Sequence, residues 1–149
     1  MEGTPAGIVD VLGLEPLPRE GGLFAQTLAD EHSTAIYYLL ERPAVSALHR
    51  LTSTEVFHFY AGSPARMLLL RCDGSIDEPV LGNRIAVGER PQVIVPAGTW
   101  QGTSSVGAWS LFGTTMAPGF TWDGFELGDR NALCRRWPQA RARIEELTQ

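Results

Sequence analysis

The feature that most constrains the fold is a long series of short extended segments separated by glycine, proline and other turn residues. No helical periodicity interrupts this series between residues 23 and 116. Evenly spaced strands without intervening helices are typical of a sandwich or a barrel. The predicted strands are Leu23–Leu28, Thr34–Glu41, Val45–Leu51, Glu55–Ala61, Met67–Cys72, Glu78–Leu81, Gln92–Val95, Gly98–Ser104 and Ala108–Met116.

Helical signals are confined to the two ends of the chain. Thr4 and Pro5 are typical of an N-cap followed by a first helical residue, and Gly13 predicts the end of that helix. Helical patterns return over residues 129–135 and 138–147. Because there is no linker or internal repeat, we expect one all-β domain over residues 1–149 with short N-terminal and C-terminal helices.

Composition excludes several classes of function. The net charge is −5, and an acidic chain without a basic run lacks the face that binds nucleic-acid phosphates. All twelve positive charges are arginine, so lysine Schiff-base chemistry is excluded. The two cysteines, Cys72 and Cys134, are isolated, which is typical of reduced thiols. Without a secretory signal or an apolar run long enough to cross a bilayer, we expect a soluble, cytoplasmic protein with no membrane partner.

The densest group of ionisable residues in an apolar setting lies between residues 46 and 62. His49 ends one predicted strand and Glu55 begins the next, and two antiparallel strands joined by a short loop would bring these side chains together. A carboxylate in a core strand is costly to bury without a partner or a ligand. The two residues therefore form either a hydrogen-bonded acid–base pair or two metal ligands.

Strand alternation sorts the neighbours of Glu55 onto two faces. Phe57 shares the face of Glu55, whereas His58 and Tyr60 lie on the other face unless a bulge turns them. In a second segment, residues 88–102, Trp100 offers a stacking face and Gln101 an amide that can donate and accept hydrogen bonds. We expect Phe57, His58, Trp100 and Gln101 to contact a substrate.

Both segments resemble the motifs of the cupin superfamily, in which two histidines one residue apart precede a glutamate and a glycine, and Pro-x-Gly-x-x-His follows. Glu55 has the cupin separation from the glycine at position 62. His49 takes the place of the second histidine and Ala47 that of the first. In the second motif, the proline and glycine at positions 96 and 98 match, and Gln101 replaces the histidine.

One branch resembles this chain more closely. The segments ALHRLTSTEVFHFYAG, GERPQVIVPAGTWQG and MAPGFTWDGFELGDR are similar to the hallmark segments of the Cupin_5 family, also called DUF985, over residues 14–133. Members usually read His-Pro-Glu-Gly-Gly before the first strand, and here residues 18–22 keep Glu20 and both glycines but lose the histidine. Glu20 is therefore a further candidate for substrate binding.

The resemblance implies a double-stranded β-helix, the jelly-roll barrel of cupins, assembled as a homodimer through its outer sheet and N-terminal strands. The fold is similar to that of nucleotide-sugar 3,5-epimerases and auxin-binding proteins. The family has no single established reaction, so the resemblance implies a fold and a small-molecule ligand rather than a substrate.

Three functions remain open at this stage. In an isomerase or epimerase that requires no cofactor, His49 would abstract a proton and Glu55 would orient its imidazole. Tyr60, or alternatively Tyr37 or Tyr38, would return a proton from the other side of the substrate.

In a metal-dependent oxygenase or lyase, His49, Glu55 and Gln101 would hold Fe, Ni, Zn or Mn. One imidazole, one carboxylate and one amide fall short of the two-His-one-carboxylate set that holds iron. In the third alternative the chain binds a sugar, a nucleotide or an organic acid without catalysis.

Overall fold

The structure is a computed structural model that describes residues 4–149. Its helices are α1 (Pro5–Leu12), α2 (Arg130–Arg136) and α3 (Arg141–Glu146), with short 3-10 turns at Ile85–Val87, Trp122–Gly124 and Pro138–Ala140. Its strands are β1 (Glu15–Pro16), β2 (Leu23–Ala29), β3 (Thr34–Glu41), β4 (Ser46–Leu51), β5 (Glu55–Gly62), β6 (Ala65–Leu70), β7 (Ile76–Asp77), β8 (Val80–Leu81), β9 (Gln92–Val95), β10 (Trp100–Ser105), β11 (Trp109–Met116) and β12 (Phe125–Leu127).

The strands form two antiparallel sheets. The first has the order β1-β2-β3-β11-β5-β9, and the second has the order β12-β4-β10-β6-β7 with β8 also pairing to β6. The sheets do not close into a continuous hydrogen-bonded barrel, but their arrangement is that of a jelly roll. The predicted all-β cupin fold with short terminal helices is confirmed.

The connection between β4 and β5 differs from the prediction. These consecutive strands do not pair with each other: β4 pairs with β10 and β12 in one sheet, and β5 pairs with β11 and β9 in the other. The loop at residues 52–54 crosses from one sheet to the other. His49 and Glu55 therefore belong to different sheets instead of lying side by side on one hairpin.

Alternation along the strands divides the apolar residues between the interior and the outer layers. In β3, Tyr38 and Leu40 point into the core between the sheets, while Leu39 packs outward with residues of α1. On the back of the second sheet, Leu48 and Leu68 pack against a layer formed by α2 and α3. Burial of these apolar faces is the main driving force for this two-layer arrangement.

A bulge in β4 controls which of its side chains reach the interior. Gln101 pairs with His49 and Thr103 pairs with Ser46, so two residues of β4 oppose one residue of β10 between these pairs. Without the extra residue, Ser46 and His49 would lie on opposite faces of the strand, because they are an odd number of positions apart. With it, both side chains contact Glu20.

The loop that carries Glu20 is held by backbone contacts and by glycine. The amide of Ala47 donates a 2.9 Å hydrogen bond to the carbonyl of Glu20, which ties the loop to the bulge in β4. Gly22 has a φ of 78°, and a Cβ at this position would lie 2.5 Å from Cε1 of Tyr38. Only glycine combines this backbone conformation with such a close approach.

Among the helices of residues 4–149, none has the length and apolar character needed to cross a membrane.

We expect Gly22→Ala to destabilise the fold by about 2–4 kcal/mol, because the methyl group meets Tyr38 and Leu40 and the backbone has positive φ. Gly88→Ala is the matched control, since Gly88 has a φ of 95° but open space around it; we expect it to cost about 1 kcal/mol. Urea denaturation of the two variants measures the difference. Equal losses would show that Tyr38 does not constrain the loop.

Candidate functional site

A cavity of about 190 Å³ lies between the sheets, at the end where residues 17–26 and 114–122 meet. Most of its wall is apolar, with aromatic side chains from Phe24, Phe120 and Trp122. Its polar groups include the carboxyl groups of Glu20 and Glu55. An enclosed, mostly apolar cavity with a few convergent polar groups is the usual form of a small-molecule site.

Glu55 reaches this cavity from the first residue of β5. Its side chain is 7% exposed, and the amide nitrogen of Gln101 donates a 3.0 Å hydrogen bond to its Oε1 atom. Burial raises the pKa of the Glu55 carboxyl to about 7, with the negative charge of Glu20 as the second cause. The nearby His49 and the hydrogen bonds from Thr114 and Gln101 act in the opposite direction.

Glu20 reaches the same cavity from the loop before β2. The hydroxyl of Ser46 donates a 2.6 Å hydrogen bond to its Oε2 atom, and Nε2 of His49 lies 3.5 Å from its Oε1 atom. Both contacts come from the bulged strand β4. The prediction that Glu20 contributes to a substrate site therefore has a structural basis, because its side chain lines the cavity.

His49 is buried behind Glu20 and is not part of the cavity lining. Its Nδ1 atom lies 2.7 Å from the carbonyl of Ala47, which can only accept, so Nδ1 carries a proton. The ring stacks on Phe125 with centroids 5.1 Å apart. The hydrogen-bonded pair expected between His49 and Glu55 is replaced by two separate contacts, one to Glu20 and one from Gln101 to Glu55.

Tyr38 supplies a neutral hydroxyl to the cavity wall. Its hydroxyl donates a hydrogen bond to the carbonyl of Gly21. Burial, followed by the negative charge of Glu20, raises the pKa of Tyr38 well above its usual value. This phenol therefore keeps its proton, which is already engaged by the loop that carries Glu20.

The structure does not bring Tyr60 or His58 to the cavity. Alternation along β5 turns both side chains away from the face of Glu55. Tyr60 is half exposed and packs edge-on against Tyr37 with centroids 6.0 Å apart, on the outer surface of the first sheet. His58 contacts the hydroxyl of Thr115 at 2.9 Å on that same outer face. The irregularity in the pairing of β5 lies between Phe59 and Ala61, beyond His58, and does not turn His58 inward.

Phe57 and Trp100 also lie away from the cavity lining. Phe57 points inward as predicted, but it packs against Phe112 in the filled part of the core. Trp100 faces the layer of C-terminal helices, and the guanidinium of Arg50 lies 4.6 Å from its ring. Both aromatic rings therefore stabilise the fold on either side of the site without contacting the cavity.

Sequence reasoning assigned no site role to several residues of the cavity wall, including Phe24, Thr114 and Met116. Thr114 and Met116 lie two and four positions after Phe112 in β11. Residues at this spacing share one face of a strand, so the pattern indicates that both side chains point inward with Phe112. Phe120 and Trp122, from the segment after β11, also line the cavity.

Comparison with known proteins identifies the family. The family model Cupin_5, described as "Cupin superfamily (DUF985)", matches residues 6–128. The chain belongs to the Cupin_5 family. No curated protein matches its sequence.

Two solved structures resemble this member of the family along nearly their whole length. A protein from Shewanella oneidensis is 33% identical with a TM-score of 0.92, covering 100% of this chain and 99% of that one. A hypothetical protein from Leishmania major is 26% identical with a TM-score of 0.90, covering 97% and 98%. Bacillus subtilis oxalate decarboxylase is 13% identical with a TM-score of 0.62, covering 90% of this chain but 37% of the enzyme, so it shares the fold alone.

The donors at the cupin metal position fit a resident metal ion poorly. Bacillus subtilis oxalate decarboxylase has Mn(II) centres, so a metal is possible in the superfamily. In this chain the amide nitrogen of Gln101 faces Glu55, and the Oε1 atom of Gln101 is buried without a hydrogen-bond partner. Within the described part of the chain, no three His, Cys, Asp or Glu side chains are grouped as metal ligands.

We expect purified wild-type protein to bind Mn²⁺ substoichiometrically and Gln101→His to bind about one equivalent, because two imidazoles and a carboxylate then converge. Register supports this design, since residue 101 lies opposite His49 and its side chain contacts Glu55. Elemental analysis after removal of free metal measures the difference. Stoichiometric metal in the wild type that disappears in His49→Ala would contradict the assignment.

Proposed function

We propose that this cupin binds a small organic molecule in the cavity and moves a proton on it, as isomerases and epimerases do, with Glu55 as the proton-transferring group. The observation that carries the proposal is the convergence of Glu20 and Glu55, from separate segments, on one enclosed and mostly apolar cavity. Buried carboxyl groups are costly unless they are used or paired, and they concentrate at functional sites.

Glu55 suits both directions of proton transfer. A carboxyl group with a pKa near 7 is populated in both protonation states at neutral pH. Gln101 fixes the orientation of the carboxyl group through Oε1. In the proposed step a C–H bond of the substrate breaks, the proton passes to Glu55, and the electron pair moves into an adjacent unsaturated group. Return of the proton to the opposite face, or to a neighbouring carbon, gives the epimer or the isomer.

His49 has a positioning role in this proposal rather than the role of the base. It lies behind Glu20, and its proton on Nδ1 is engaged by the carbonyl of Ala47. Ser46 holds the Glu20 carboxyl group toward the cavity through a hydrogen bond, and the imidazole of His49 lies behind that carboxyl group. Glu20 in turn raises the pKa of Glu55 through its charge.

The small volume and the mostly apolar wall of the cavity favour a compact substrate. Its volume of about 190 Å³ is below the range of roughly 300–1,000 Å³ that is common for sites of drug-sized ligands. A bound molecule that displaces water from this mostly apolar wall would strengthen each polar contact with the carboxyl groups.

Deuterium incorporation tests the proposed proton transfer and does not require the substrate to be identified first. Wild-type protein is incubated in D₂O with a cell extract freed of macromolecules, and small molecules that acquire deuterium on carbon are found by mass spectrometry. We expect at least one labelled compound, with its labelling slowed at least about 100-fold by Glu55→Gln.

Glu31→Gln is the matched control, because Glu31 is an exposed carboxylate on the loop between β2 and β3. We expect this variant to label the same compound at the wild-type rate. Equal labelling by Glu55→Gln, or no compound labelled by the wild type, would contradict proton transfer and favour a binding protein without catalysis.

A further inference from the structure

The charged groups that line the cavity have one sign. Glu20 and Glu55 are both more than nine-tenths buried, and both face the hollow. Among the described residues of the lining, none is arginine or histidine, and the chain contains no lysine. A negatively charged ligand would therefore meet two carboxyl groups in a low-dielectric space, where repulsion between like charges is strong.

The basic side chains nearby lie outside the lining. His49 is on the far side of Glu20. Arg19 is exposed, and its guanidinium lies 4.7 Å from the ring of Phe125 and 5.7 Å from that of Trp122. Neither group contributes to the wall, so neither offers a counter-ion to an anion held inside the cavity.

Aromatic rings form another part of the wall. Phe120 and Trp122 are 4.9 Å apart, with their planes at 84° to each other, and both line the cavity together with Phe24. These two rings form an aromatic corner of the wall. Aromatic rings bind organic cations through cation–π attraction, most strongly when the site is desolvated.

We propose that the cavity takes a small organic cation, an ammonium or iminium compound, with its positive charge between the carboxyl groups of Glu20 and Glu55 and the aromatic corner of Phe120 and Trp122. This inference deepens the proposed function and rests on its assignment of the cavity as the substrate site. It adds the charge and the class of the ligand.

A cationic substrate also fits the proposed step. When Glu55 removes a proton from the carbon next to an iminium group, the C–H electron pair forms a carbon–carbon double bond. The carbon–nitrogen double bond becomes a single bond, and its electrons neutralise the nitrogen. The product is an uncharged enamine, so no negative charge develops on the substrate. An enolate would place an anion in a cavity whose described lining has no basic side chain.

Three probes of similar shape separate the effect of ligand charge on binding from the effect of ligand size. They are choline, the uncharged 3,3-dimethylbutan-1-ol, and the anion 3,3-dimethylbutanoate. Binding to the full chain is measured at pH 8 by calorimetry. We expect choline to bind at least about tenfold more tightly than either analogue. We expect Glu20→Gln to reduce the preference for choline over the alcohol at least about fivefold, and Glu31→Gln to leave it unchanged.

Trp122→Leu provides a second variant if Glu20→Gln fails to fold, since Trp122 is 43% exposed and contributes little to the core. We expect this substitution to weaken choline binding more than alcohol binding. Equal or weaker binding of choline than of the alcohol, or no binding of choline to the wild type, would overturn the assignment of a cationic ligand.

The binding assay and the deuterium assay test separate claims, so either claim can be rejected while the other is kept. A preference for choline without any labelled compound in D₂O would retain the ligand class and reject proton transfer. Labelling of a neutral or anionic compound, together with no preference for choline, would reject the ligand class and retain proton transfer by Glu55.

Discussion

The placement of the carboxyl groups of Glu20 and Glu55 in one mostly apolar cavity is the constraint on which the rest of the site depends. Each would be costly to bury alone, and together they repel. The surrounding structure compensates with specific contacts: Ser46 donates a hydrogen bond to Glu20, the imidazole of His49 lies 3.5 Å from Glu20, and Gln101 donates a hydrogen bond to Glu55. The bulge in β4 turns Ser46 and His49 inward, and the glycine-rich loop at residues 18–22 brings Glu20 to them.

This arrangement occupies the region where cupins with three histidines and a glutamate hold a metal ion. Ala47 and Gln101 stand in place of two of those histidines, and the amide of Gln101 donates to the carboxyl group that would otherwise bind the metal. A hydrogen bond from Gln101 thus orients the carboxyl group of Glu55. The family's fold is kept, while the polar groups of its interior are joined by hydrogen bonds.

Much of the fold could be predicted from the sequence because it depends on local patterns. Turn residues delimited the long strands, and alternation along β5 placed Glu55 and Phe57 inward and His58 and Tyr60 outward. The site was harder to predict, since it depends on pairings between distant segments. No local pattern shows that β4 and β5 belong to different sheets, or that a bulge turns Ser46 and His49 toward Glu20. The same limitation concealed Thr114 from β11 and left the contact between His49 and Glu20 unpredicted.

Direct titration of the Glu55 carboxyl carbon by NMR, in the wild type and in Glu20→Gln, tests the central claim most directly. If both carboxyl groups share one buried hollow, the midpoint for Glu55 lies near 7 in the wild type and falls when the charge of Glu20 is removed. A midpoint near the ordinary value of 4.5, or one that does not respond to Glu20→Gln, would show that the two groups do not share that environment.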